Sequence, residues 1–258
     1  MNYIDFHAHL DCPEFGQERE RIITESFASG IKTIVTVVDP YSQDSLRISA
    51  EIIGTHPQVR AIIGAHPHEA ARYSPEVEQR ILSFSKDHGV CGIGEAGLDF
   101  HYNFSPPDAQ RTVFQRQLAI AREMNLPLIV HSRKAENEIL DLLHKSRFPQ
   151  PVVFHCFTGD RAEAAEILHC GYSLSFSGII TFRNAGELRE VVRTAPLDRI
   201  FSETDSPYLA PEPFRGKVNR PANVAIIATR IADIKEAELE DVLAQIESNL
   251  DRFLELAP

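Results

Sequence analysis

Short apolar runs rich in Val, Ile and Phe alternate along this chain with longer segments that carry Glu, Arg, Ala and Leu at helical spacing, and the alternation repeats eight times. The strand candidates are Tyr3–His7, Lys32–Val38, Val59–Ala65, Val90–Gly94, Pro127–His131, Val152–His155, Tyr172–Phe176 and Arg199–Glu203. The intervening helical pattern is clearest over Asp108–Asn125. There Val113, Phe114, Leu118, Ala121 and Met124 share one stripe, and Ser105-Pro106-Pro107 marks the start. Two more helical stretches, Ala222–Ile234 and Glu236–Leu256, close the chain. Strands that each lead into a helix pair in parallel, so eight such units in 258 residues predict one (β/α)₈ barrel, a single domain spanning residues 1–258. An open doubly wound sheet is the main rival.

Composition removes several function classes. With 43% hydrophobic and 24% charged residues the chain has the make-up of an ordinary globular protein. Its net charge of −11 argues against a broad basic face for nucleic acid and leaves room for a small anionic-substrate site built around metal ions. No window approaches the roughly 18 apolar residues of a membrane helix. The start, Met1-Asn2-Tyr3-Ile4-Asp5, lacks the features of a signal peptide, so the expected compartment is the cytoplasm and no membrane partner is expected. Cys12, Cys91, Cys156 and Cys170 are widely spaced and are expected to be reduced thiols, mostly in the core. Nothing in the sequence sets an oligomeric state.

Six of the eleven histidines, His7, His9, His66, His68, His131 and His155, fall at or just after the C-terminal end of a predicted strand. Windows covering roughly a tenth of the chain would hold about one by chance. Glu95 follows the fourth strand, and Glu203 and Asp205 close the eighth. In a barrel those ends converge on one rim, where the active site is built. His7-Ala8-His9 places two imidazoles on one face of an extended segment, an arrangement suited to chelation. His131 and His155, at matching places on consecutive strands, suggest a second metal. Gly92-Ile93-Gly94-Glu95-Ala96-Gly97 matches the glycine pattern of dinucleotide-binding folds, but no helix opens after it, so no nucleotide cofactor is expected. The glycines instead suit close backbone packing around Glu95, a candidate metal bridge. Ser132 and Cys156 lack the context of a nucleophile. His56, His88, His144 and His169 fall in or beside predicted helices as surface or core residues, and His101 lies in a loop near the rim.

His7-Ala8-His9-Leu10, Gly64-Ala65-His66-Pro67-His68, Gly94-Glu95-Ala96-Gly97-Leu98-Asp99, Asn125 to Arg133, His155-Cys156-Phe157-Thr158-Gly159 and Glu203 to Leu209 together form an ordered set. This set resembles the TatD family of metal-dependent deoxyribonucleases among the amidohydrolase-like barrels, nearly end to end. The resemblance implies a (β/α)₈ fold and two divalent cations held by His7, His9, Glu95, His131, His155 and Asp205. It also implies hydrolysis of DNA phosphodiester bonds, in several members from 3′ to 5′. Lys134 stands where many relatives have an acid, and Asn219-Arg220-Pro221 where many read Asn-Glu-Pro or Asn-Gln-Pro. Both departures bear on substrate preference.

The expected chemistry places Glu95 and Asp205 in catalysis, with Asp205 taking the proton of the attacking water. Glu203 is expected to orient the ligands, and His66 or Arg133 to contact the phosphate. Arg215, Lys217 and Arg220 supply the densest local positive charge, expected to contact DNA backbone. The ligand set suits Zn²⁺, Mn²⁺, Co²⁺ or Ni²⁺, while Mg²⁺ prefers more oxygen. The alternatives are a metal hydrolase of another ester or amide, such as a D-aminoacyl-tRNA deacylase, and, more remotely, a non-catalytic metal-binding barrel.

Overall fold

The structure, a computed structural model, describes residues 1–255. Eight strands form one sheet in strict sequence order: β1 Tyr3–Ala8, β2 Ile31–Val38, β3 Val59–Ile63, β4 Gly92–Asp99, β5 Leu128–Arg133, β6 Val152–Phe154, β7 Ser173–Phe176 and β8 Ile200–Ser202. All seven ladders between neighbours are parallel. The helices between and after them are α1 Arg19–Ala28, α2 Gln43–Thr55, α3 Pro75–His88, α4 Pro107–Glu123, α5 Glu136–Ser146, α6 Arg161–His169, α7 Gly186–Thr194, α8 Val224–Lys235 and α9 Leu239–Leu254. Right-handed βα crossovers wind such a chain into a barrel, and this is the (β/α)₈ fold expected from the alternation.

The β8–β1 seam is closed by few backbone bonds and by the buried side chains of Asp5, Thr204 and Ser202. Asp205 N–H donates to the His7 carbonyl at 2.9 Å, and His9 N–H to the Ser206 carbonyl at 2.7 Å. Between them the buried Asp5 carboxylate accepts from Thr204 N–H at 2.7 Å and from Thr204 Oγ1 at 2.6 Å.

Aromatic packing fixes which way β1 faces. Phe6 stacks on Phe201 of β8 with ring centroids 4.1 Å apart, and Phe253 of α9 meets Phe6 edge-on at 5.1 Å. Phe6 therefore points to the outer helical layer, and by the two-residue alternation of a strand Asp5 and His7 point into the barrel. All six residues of β1 are buried, because a parallel strand is covered on both faces.

Two boundaries differ from the sequence reading in ways that matter. β4 continues five residues past Gly94, so Glu95 lies within the strand, paired through its neighbours to β5. The final helix begins at Leu239 and not at Glu236, because Glu236 takes a left-handed conformation (φ 53°) that ends α8; Leu256 lies outside the described residues. Of the four free cysteines only Cys91 is buried; Cys12 and Cys156 line the rim cavity and Cys170 is exposed, so the expectation of mostly core thiols is corrected. No described helix is long and apolar enough to cross a membrane.

Candidate metal centre

The C-terminal ends of the strands open into a cavity of about 980 Å³ lined by His9, His66, Glu95, His131, Arg133, His155 and Asp205 among others. Glu95 sits at its centre and faces two ways. Its Oε1 lies 3.2 Å from His7 Nε2 and 3.4 Å from His9 Nε2, and Asp205 Oδ1 completes that group at 3.2 Å from His9 Nε2. Its Oε2 lies 3.0 Å from His155 Nε2 and 3.7 Å from His131 Nδ1, with His66 Nε2 at 3.5 Å. One carboxylate thus joins two donor sets, His7, His9 and Asp205 on one side and His131 and His155 on the other. These are the six residues expected as ligands.

Local sequence explains how they meet. A Cβ on Gly97 would stand 1.9 Å from the His131 carbonyl oxygen, and one on Gly94 would stand 2.7 Å from the Ile129 carbonyl. Only glycine lets β4 approach β5 closely enough to set Glu95 beside His131. The glycine pattern is therefore a packing device, as anticipated. Asp205 occupies the left-handed region (φ 54°), which Asp tolerates better than most residues, and its N–H is tied to β1.

Electrostatics divide the imidazoles: against their burial, His9, His131 and His155 are raised by their carboxylate partners, while burial, followed by the charge of His155, lowers His7. Burial alone would lower the His9 pKa, but the hydrogen bond to Asp205 and the charge of Glu95 carry it up to about 9. Burial likewise opposes the charged form of His155, and the Glu95 charge reverses this and holds it well above its usual value. Glu95 is held well below the carboxylate range, because the His155 and His7 charges outweigh its own burial. His66 is pushed well down by burial and by the charge of His131, which leaves it neutral.

Several buried atoms here have no hydrogen-bond partner: His7 Nδ1, both ring nitrogens of His155 and both carboxylate oxygens of Glu203. Glu203 is fully buried, 3.6 Å from His155 Nδ1. His155 Nε2 and Glu95 Oε2 are close without the angles of a hydrogen bond, as befits two ligands of a common cation rather than a donor and an acceptor. Orphaned groups of this kind are costly unless an ion completes them, and a nitrogen and oxygen donor set fits divalent cations. His7, His9 and Glu95 are close enough to share one ion, and Glu95, His131 and His155 another.

The matching family model is described as "TatD related DNase" and spans residues 4–255. The chain belongs to that family. It is a metal-dependent hydrolase of the TatD type. It is 37% identical to the uncharacterised metal-dependent hydrolase YabD of Bacillus subtilis over 98% of each chain. It is 32% identical to the 3′-5′ ssDNA/RNA exonuclease TatD of Klebsiella pneumoniae over 95% of each. The fold matches the crystal structure of the TatD homologue YJJV of Escherichia coli K12 with a TM-score of 0.91 at 23% identity, over 98% of both chains.

Within this TatD-type cavity the remaining expected residues are placed unequally. His66 reaches Glu95 and Arg133 lines the wall. Arg220 turns away to Glu25 of α1 at 3.6 Å, and Arg215 lies on the Phe182 ring at 4.3 Å, so the loop after β8 does not bring these two cations to the cavity wall. His56 meets Glu20 at 3.1 Å outside the site.

Two functional features escaped the sequence reading. Asp99, buried at the end of β4, contacts His131 Nε2 at 3.2 Å and His68 Nε2 at 2.7 Å. Gln110 and Gln117 of α4 are buried and grip strand-end backbone, Gln117 at Ala65 N–H and C=O, Gln110 at Asp99 N–H and C=O. Their signal was legible: two amides on the apolar stripe of one helix, seven residues apart.

Proposed function

We propose that this protein is a two-metal nuclease that hydrolyses phosphodiester bonds of single-stranded DNA, working from the 3′ end. The observation that carries the reading is the division of Glu95, whose two oxygens face two separate sets of donors. Two cations roughly 4 Å apart are the recurring arrangement for in-line displacement at phosphorus. The name of the Klebsiella relative supports the substrate and the direction. His7, His9, Glu95 and Asp205 would hold one ion, and Glu95, His131 and His155 the other. The chemistry supplied by Zn²⁺, Mn²⁺, Co²⁺, Ni²⁺ or Mg²⁺ bound there is polarisation of the phosphoryl group and a lowered pKa for water.

The chain's own residues do the rest. Asp205, reaching His9 at the cavity wall, takes the proton of the attacking water. Glu203 stands behind His155, 3.6 Å from Nδ1, where its carboxylate would orient the ring once Nε2 serves as a ligand. Arg133 and neutral His66 face the phosphate oxygens, Arg133 as a cation and His66 as a donor. No protein nucleophile is required.

The test is release of nucleotides from end-labelled single-stranded DNA with Mg²⁺ or Mn²⁺, beside a chelator control and Glu95→Ala. Metal-dependent release that disappears in the variant is expected, with a 3′ label lost first. Bound metal together with intact DNA would overturn the substrate assignment and direct attention to other esters and amides, D-aminoacyl-tRNA included.

A further inference from the structure

Among the described residues, the exposed large apolar side chains other than Met1 are Tyr102, Phe104, Tyr208, Phe214 and Val218, and all lie on loops that follow β4 or β8, on the rim that carries the site. We propose that Tyr102 and Phe104 form a stacking platform for one unpaired base of the substrate, immediately beside the bond that is cut. This rests on the nucleic-acid reading above and adds how the strand is held.

The two rings are nearly parallel, 11° apart with centroids at 5.5 Å, and are 52% and 69% exposed. They contribute little to the core, yet they are held firmly. Asp99 Oδ1 accepts from His101 N–H at 3.0 Å and Tyr102 N–H at 2.9 Å, while Ser105 Oγ donates to the His68 carbonyl at 2.6 Å and accepts from Ala71 N–H at 3.0 Å. Both ends of the loop are thereby pinned, one of them to the carboxylate that also holds His131. An exposed apolar pair on a rigid mount is preorganised for a flat ligand.

Position supplies the occupant. His68 meets Phe104 edge-on at 4.8 Å and Tyr102 at 5.8 Å, and His131 lies 5.8 Å from His68. The platform is thus two ring contacts from the candidate metal centre, the separation of a base from a nearby backbone phosphate. Phe100 N–H donates to the Arg133 carbonyl at 2.9 Å, which sets Arg133 and the exposed Lys134 alongside the loop as partners for backbone phosphate. Every base offers a π-face, and in a duplex both faces are already covered, so the platform takes an unpaired base. A second copy of the chain fits less well: two aromatic side chains bury about 150–250 Å² each, far short of the ~800 Å² per partner of a stable interface.

The test compares the holoenzyme on a single-stranded oligonucleotide with the same oligonucleotide made abasic at one of its 3′-terminal positions. Wild type is expected to prefer the base-bearing substrate by roughly ten-fold in KM at one position, in line with stacking energies per base. Tyr102→Ala and Phe104→Ala are expected to lose that preference, Phe104→Tyr to keep it, and Phe104→Leu, apolar but not flat, to lose it. Variants that retain the wild-type preference would overturn the platform and leave the nuclease reading standing. A wild type that cuts neither substrate with metal present would overturn the nuclease reading and the platform with it. A shift in sedimenting mass in both alanine variants with the base preference intact would reassign the rings to a contact between copies.

Discussion

Asp99 divides its carboxylate among four partners, Oδ2 facing His68 and His131 and Oδ1 accepting two backbone amides of its own loop. Burial alone would raise its pKa, but the hydrogen bond to His131 and the Tyr102 amide hold it well below the carboxylate range. An ionised Asp99 keeps the His131 proton on Nε2, which leaves the Nδ1 lone pair free to ligate the cation that Glu95 would share. Asp99→Asn removes that bias and leaves the loop anchored through its side-chain oxygen. The half-saturating Mn²⁺ concentration for hydrolysis is expected to rise 10–100-fold, the usual cost of losing a carboxylate behind a ligating histidine, while the rate at saturating metal stays much closer to wild type. Metal titration of the activity checks this, and an unchanged Mn²⁺ dependence would exclude a positioning role.

At the scale of elements, α4 is the part that places the rim. Its two buried glutamines hold the ends of β3 and β4, and its outer face is tied to α3 by a two-pronged ion pair, Arg116 Nε and Nη2 donating to Glu78 at 2.8 and 2.7 Å. Tyr73 adds a third bond to the same carboxylate at 3.0 Å. The Arg116 hydrogen bonds hold the Glu78 pKa below its ordinary value. A depressed carboxylate stabilises the fold above its unfolded pKa, and that contribution is lost as pH falls through the folded value. Glu78→Gln is therefore expected to cost about 1 kcal/mol at neutral pH, allowing for solvent screening of a partly exposed pair. This corresponds to roughly 2–4 °C in Tm. The gap to wild type should begin to narrow as pH falls into the ordinary glutamate range and close once it passes below the lowered folded value, and a gap independent of pH would show that the charge contributes nothing.

For the whole molecule, the weak place is the β8–β1 seam, where an isolated bridge between Ala8 and Ser206 stands in for a full ladder. Asp5 and Thr204 close it from inside the barrel, and Ser202 Oγ donates to the Ile4 carbonyl at 3.0 Å. Asp5→Ala leaves two buried donors unpaired and is expected to cost about 2–4 kcal/mol. Thr204→Val, which keeps the backbone donor, should cost less. Denaturant titration of both variants measures this. Wild-type stability in Asp5→Ala would mean that the seam closes without the Asp5–Thr204 bonds. Since His7, His9 and Asp205 flank the seam, loosening it should also weaken metal binding.

The sequence by itself determined the order of strands and helices and the rim that gathers the histidines, and it named the five residues, His7, His9, His131, His155 and Asp205, that the fold gathers around Glu95. These follow from local period, from turn chemistry and from the rule that strand ends of a barrel meet. It could not assign each oxygen of Glu95 to its own pair of imidazoles, because that depends on how closely β4 and β5 approach, which Gly94 and Gly97 permit but do not dictate. The apolar run ends at Gly94, and parallel pairing with β5 carries β4 on to Asp99. Asp99 and the Gln110–Gln117 pair gained their roles only through partners 11 to 52 residues away in sequence. Arg220, adjacent to the rim in sequence, faces Glu25 in space. Local sequence sets what each segment can become, and distances between segments are set by packing of the whole barrel.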